Sequence, residues 1–165
     1  MSKNVVIGEK ELQAFLSKFA DDIADGLDGV ADATGLVVKS EIQKGYHAHA
    51  SAGNVYTHEI LGQLPNGHLV EGKRRAKPHV ASAPGFAPNS DTGDLAKFIA
   101  VEKTDPGVRE VAPYGFAEKY GAWLEWGTRE ILPRPLWRPV RDKAEPVYKQ
   151  MVEDFLIKKA NDASR

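Results

Sequence analysis

Five histidines are the side chains here best suited to hold a metal. His47 and His49 stand two apart, and His58, His68 and His79 follow at steps of roughly ten residues. On an extended segment both members of His47-Ala-His49 can face one ion. A closed site needs three or four ligands in tetrahedral reach, and the chain has no cysteine to supply one. Polar residues on an exposed segment account for the histidines more simply, and no cofactor is expected. Ser40, Ser51, Ser82 and Ser90 lie outside any Gly-x-Ser-x-Gly context. Glu125, between Trp123 and Trp126, would act as a general acid if burial raised its pKa. A lone carboxylate more often partners a backbone amide or a nearby arginine, here Arg129, Arg134 or Arg138. No glycine loop leads into a helix to cradle phosphate. These residues do not assemble an enzyme.

Two other groups could bind rather than react. Lys73-Arg74-Arg75-Ala76-Lys77 is a compact basic run, and each phosphate it neutralised would add salt-dependent affinity for nucleic acid. No aromatic residue interleaves it to stack bases. Trp123, Trp126 and Trp137 stand among Tyr114, Phe116, Tyr120 and Leu136, close to Arg134 and Arg138. Core beneath a sheet and subunit interface are equally good readings, since buried tryptophan and arginine are also what interface hot spots use. Gly93 and Gly127 suit turns.

The elements that must position these residues follow from periodicity. Val5-Val6-Ile7 reads as a brief strand or staple. From residue 9 to 44, Leu12, Phe15, Leu16, Phe19, Ile23, Leu27, Val30, Val37, Val38 and Ile42 recur mostly at helical spacing, with Asp21, Asp22, Asp25, Asp28 and Asp32 mainly off the stripe. Gly26, Gly29 and Gly35 each weaken such a helix by up to ~1 kcal/mol, which favours a bend or break near its middle. Residues 45 to 93 are rich in glycine and proline and carry only short apolar runs. That is far beyond the ~15 residues of an ordinary loop, so an extended arm is expected at about 46–90, with a small hairpin at Leu64-Pro-Asn-Gly-His68. Phe98–Glu102 and Val108–Ala112 read as antiparallel strands around a turn at Thr104-Asp-Pro-Gly107. Ala117–Trp126 fits a short helix or a third strand. Leu136, Val140, Ala144, Val147, Met151 and Phe155 mark one face of a C-terminal helix to about Ala160, with Pro139 in its first turn and Pro146 as a kink. The expected fold is α+β: a long N-terminal helix, a small antiparallel sheet and a C-terminal helix, with the arm between, in a single domain over 1–165.

The bulk composition agrees. The 165 residues are 42% hydrophobic and 27% charged, ordinary for a folded domain. Twenty-two basic against 23 acidic residues leave a formal charge of -1, so no global attraction to nucleic acid or membrane is encoded. No stretch approaches the ~20 apolar residues of a bilayer span, and the N-terminus has no signal-peptide core. Cytosolic synthesis is expected.

Three blocks carry a family resemblance: Ala83-Pro-Gly-Phe-Ala-Pro88 with Asp91-Thr-Gly-Asp-Leu95, then Tyr120-Gly-Ala-Trp-Leu-Glu-Trp-Gly-Thr128, then Arg134-Pro-Leu-Trp-Arg-Pro139. In this order, with a strand pair between the first two and a helix after the last, the chain resembles the tail-completion (minor tail component) family of tailed bacteriophages. Gly8-Glu-Lys-Glu-Leu12, opening into a long helix, is similar too. The resemblance implies a virion structural protein, made in the host bacterial cytoplasm and placed at the neck or head-proximal end of the tail. It implies a ring of copies, commonly sixfold, around the DNA channel, with tail-tube, tail-terminator or head-connector proteins as neighbours and no membrane partner. Trp123, Glu125, Trp126, Gly127, Arg134, Trp137 and Arg138 are then the expected structural or interface anchors. Lys73, Arg74, Arg75 and Lys77 are expected to face DNA or an acidic neighbour. The alternative is a DNA-binding accessory protein using the same basic run.

Overall fold

The computed structural model describes residues 8–48 and 52–163, so the expected strand at Val5–Ile7 and the histidine His49 lie outside the described residues. The elements run α1 (Glu9–His47), β1 (Val55–Gln63), β2 (Leu69–Val80), α2 (Asp94–Lys97), β3 (Ile99–Asp105), β4 (Val108–Pro113), α3 (Phe116–Trp126) and α4 (Trp137–Ala163). The fold is α+β.

Helix α1 is a single element of 39 residues, about 58 Å long at 1.5 Å per residue. Its first turn carries Glu9 and Glu11 and its last Lys44 and His47, complementing the helix dipole at both ends. The Gly8 N–H donates to the Glu11 carboxylate at 3.0 Å, half of a capping box. His47 is therefore helical rather than extended. The expected mid-helix break does not occur, because packing outweighs glycine's weak propensity. A Cβ built on Gly26 would lie 2.0 Å from Phe155 Cζ, and one on Gly45 would lie 2.3 Å from Leu136 Cδ1. Glycine lets α4 and its approach lie directly on the α1 backbone. The two helices run antiparallel: the Trp137 indole N–H donates to the Tyr46 hydroxyl at 3.0 Å near one end, and Phe155 meets Gly26 towards the other.

The small sheet is two separate hairpins, β1 with β2 and β3 with β4. The expected arm is mostly the first of these, far longer than the small turn the sequence suggests. Its register runs from Val55 opposite Val80 to Gln63 opposite Leu69, with irregularities between. A period of two marks a strand in sequence only where one face is buried. Here Val55, Leu61, Leu69 and Val70 are all exposed, so no such period was selected. The β3–β4 hairpin matches its expected position, with Gly107 at φ 71° in the turn.

The buried core is small: Ile42, Tyr46, Ala96, Ile99 and Leu136, flanked by Val38, Leu95, Val111, Trp137 and Val140. It sits where the C-terminal end of α1 meets α2, β3 and the start of α4. Away from it, the β3–β4 turn docks on α1 through charge. Lys103 bonds Asp28, Arg109 bonds Asp32, and the Gly107 amide donates to Asp28 at 2.6 Å. The Lys103 hydrogen bond, helped by the Gly107 amide, holds the Asp28 carboxyl at about 2 against an ordinary 3.8. No residue of α4 is buried. No helix among the described residues is long and apolar enough to cross a membrane.

Candidate functional site

The Trp-Leu-Glu-Trp-Gly block forms the end of α3 and the corner after it, which settles Ala117–Trp126 as helix rather than strand. Gly127 terminates it at φ 78°, and a Cβ there would meet the Ile131 carbonyl at 2.7 Å. Only glycine fits. The Thr128 N–H then donates to the Ile131 carbonyl, and the Thr128 hydroxyl accepts from the Glu130 and Ile131 amides. The chain returns along α3, where the Arg134 amide donates to the Leu124 carbonyl at 2.7 Å.

This return brings Glu125 to the start of α4. Its carboxylate accepts from the amides of Leu136, Trp137 and Arg138 at 2.8, 3.0 and 3.0 Å. A helix leaves its first four N–H groups without internal partners. In α4 the fourth position is Pro139, which has no N–H, and the Val140 amide already reaches the Leu136 carbonyl. One side chain from another helix therefore satisfies every free donor at this end. The Arg138 guanidinium closes the arrangement, its Nε 3.1 Å from the same carboxylate. Burial alone would raise the Glu125 pKa, but the three amides and Arg138 together outweigh it and hold the group below the usual carboxylate range. The conditional reading of Glu125 as a general acid is thereby overturned. It is an ionised acceptor, engaged on both oxygens.

The other expected anchors divide. Trp137 is half-buried and bonds Tyr46. Trp123 and Trp126 are 49% and 65% exposed, so neither is core. Arg138 lies over the Trp126 ring at 4.5 Å, a cation–π contact that fixes the indole on the surface. Leu132 and Tyr120 are exposed nearby. Behind the corner, α1, β4, α3 and α4 enclose a groove of about 740 Å³ lined by Gly35, Val111, Gly121, Trp126 and Tyr148 among others.

Arg134 faces a second cleft, of about 780 Å³, shared with Tyr56, Arg75, Ser82, Asp91 and Tyr120. Its Nε and the Ser82 hydroxyl are buried without a hydrogen-bond partner among the described residues. Arg75 does not join the basic run at the surface as expected. It turns inward, donating to Asp91 at 2.6 Å and to the His58 carbonyl at 3.2 Å, and so ties the first hairpin to the loop before α2. Lys73, Arg74 and Lys77 remain exposed, and among the described residues no ion pair engages them. His79 lies 3.7 Å from Asp91, and His58 lies 3.3 Å from Glu71. Among the described residues no three His, Asp or Glu side chains converge as a metal site.

Sequence reasoning missed Tyr46, Asp91 and the Asp28–Arg109 pairing. Tyr46 carried a usable signal, since it continues the α1 stripe one turn past Ile42. Asp91 did not, because its partner Arg75 lies in a different element. The chain matches no family model, no curated protein sequence and no solved structure.

Proposed function

We propose that this chain is a structural virion subunit of a tailed bacteriophage. It completes the tail or joins it to the head at the neck, and acts by packing against copies of itself in a ring. The observation that carries the reading is the exposed aromatic edge of the α3–α4 corner. Trp123, Trp126 and Leu132 sit in solvent on a corner whose backbone is held by Glu125 and Gly127. Rigid, exposed aromatics beside arginine are what a protein interface uses for its anchors. Trp123, Glu125, Trp126 and Gly127 lie in the second of the three blocks that resemble tail-completion proteins, and Leu132 lies between the second and the third, which supports the virion context. Leu12, Phe15 and Leu16 add exposed apolar surface on a helix that extends well past its own core.

The test is electron microscopy of lysates from a phage lacking the gene. Filled heads beside detached or aberrant tails are expected. Intact, infectious particles would remove the protein from the structural inventory. Complementation with Trp123→Ala plus Trp126→Ala sharpens the result, because both side chains are largely exposed and their loss should leave the subunit folded while particle yield falls.

A further inference from the structure

Two elements of the molecule carry charge of opposite sign that is unpaired among the described residues. On the first hairpin, Lys73, Arg74 and Lys77 are exposed, and no ion pair among the described residues engages them. On α1, Asp21, Asp22 and Asp25 are likewise exposed and unpaired among the described residues, whereas Asp28 and Asp32 farther along the helix are occupied by Lys103 and Arg109. At 100° per residue the three free carboxylates share one side of the helix. Lys18 lies on that side too and reduces its net charge. Asp22 borders the stacked pair Phe15 and Phe19, with Leu12 and Leu16 exposed beyond them. The hairpin offers matching apolar surface, since Leu61, Leu69 and Val70 are exposed near its basic run.

Among the described residues no hydrogen bond or ion pair joins these patches within one chain. The hairpin is anchored beside the C-terminal end of α1: Asn89 Nδ2 donates to the Val80 carbonyl at 3.0 Å, and the neighbouring Ser90 amide donates to the Tyr46 carbonyl at 2.8 Å. Residues 21 to 25 lie about 30–40 Å from Tyr46 along the helix axis at 1.5 Å per residue. Complementary surfaces that do not engage each other within a chain specify a head-to-tail contact, the heterologous kind that closes into a ring or extends as a filament.

We propose that the occupant of the acidic face of α1 is the basic β1–β2 hairpin of a second copy of this chain. Lys73, Arg74 and Lys77 face Asp21, Asp22 and Asp25, while the apolar residues beside each patch cover one another. Charge sets the direction and register of the contact, and apolar burial supplies its persistence. The proposal deepens the ring reading and shares its premise of self-association. It does not depend on the virion assignment.

The chain has no cysteine, so introduced pairs report proximity without background. Lys18→Cys and Ala76→Cys place one thiol in each patch on separate chains. Oxidation of an equimolar mixture should give a cross-linked dimer several-fold above either variant alone. The excess of mixed over single-variant cross-linking should shrink at about 1 M salt, where the Debye length is ~3 Å and charge no longer sets the direction of the contact. Asp21→Lys, Asp22→Lys and Asp25→Lys in the Lys18→Cys chain should abolish it. Adding Lys73→Glu, Arg74→Glu and Lys77→Glu to the Ala76→Cys chain should restore it. Circular dichroism of each variant shows that it has folded. Equal cross-linking in mixture and singles, or cross-linking unmoved by charge reversal, overturns the proposal. So does DNA binding through Lys73, Arg74 and Lys77 by a chain that gives no mixed cross-link. Failure here with tails still detached in the lysate test leaves the virion reading standing and moves the ring contact to Trp123 and Trp126.

Discussion

The end of α1 at Ile42 and Tyr46 and its beginning at Leu12 to Leu16 share one helix and one apolar spacing, yet they do opposite things. Ile42 and Tyr46 are 1% and 2% exposed, whereas Leu12, Phe15 and Leu16 are 45%, 52% and 53% exposed. The difference lies in what the rest of the chain brings to each end. Around Ile42 converge α2, β3 and the start of α4 with Glu125 bound to it. Among the described residues nothing buries Leu12. Apolar periodicity thus announces a surface that will be covered, without saying whether the cover is internal or comes from outside.

Substitutions at the two ends test that contrast. The largest effect belongs to Ile42→Ala, which empties a fully buried site and should cost about 2–5 kcal/mol in urea unfolding. Glu125→Ala comes next. It leaves three amides at the α4 end without an acceptor, so a loss of about 3 kcal/mol is expected, with Glu125→Gln retaining part of it. Equal stability of Glu125→Ala and the parent would show that α4 is held by its α1 contact alone.

A third effect depends on pH. Asp28 and Glu125 are both held below their ordinary values, so each binds its proton more weakly folded than unfolded. Their contribution is complete above the unfolded values near 4 and disappears as pH falls through the folded ones. For Asp28 that window runs from 3.8 down to about 2. The melting temperature should fall across it, and Asp28→Asn should flatten the fall. The smallest effect is Leu16→Ser, within about 0.5 kcal/mol of the parent because the side chain is largely exposed among the described residues. A large loss there would mean that the near end of α1 is packed after all, and the comparison of ends would collapse.

Legibility in the sequence follows the same division. Helix α1, the β3–β4 hairpin and α4 could be read because each repeats apolar residues at the period of its own geometry. Of the first hairpin only the turn at 64–68 could be read and not the length of its strands, since Leu61, Leu69 and Val70 are exposed in strands with little buried face. Helix α2 is four residues long, too short for any period. At the candidate site, Glu125 was legible as a residue needing a backbone or arginine partner. That its partners would be the three donors before a proline required the fold, because the turn at Gly127 is what reverses the chain.

The Glu125–Leu136 hydrogen bond closes a separation of 11 residues, while Trp137 reaches Tyr46 across 91. Loop-closure entropy separates two such events by about 2 kcal/mol, so the α3–α4 corner forms early and docking on α1 comes late. During translation at ~5–20 residues per second, α1 therefore spends about 5 to 20 s without the helix that covers it. Helix α1 is made long before it is sheltered, and its Val38, Ile42 and Tyr46 stand open to chaperones, or to neighbouring chains on the same message, for the whole of that interval.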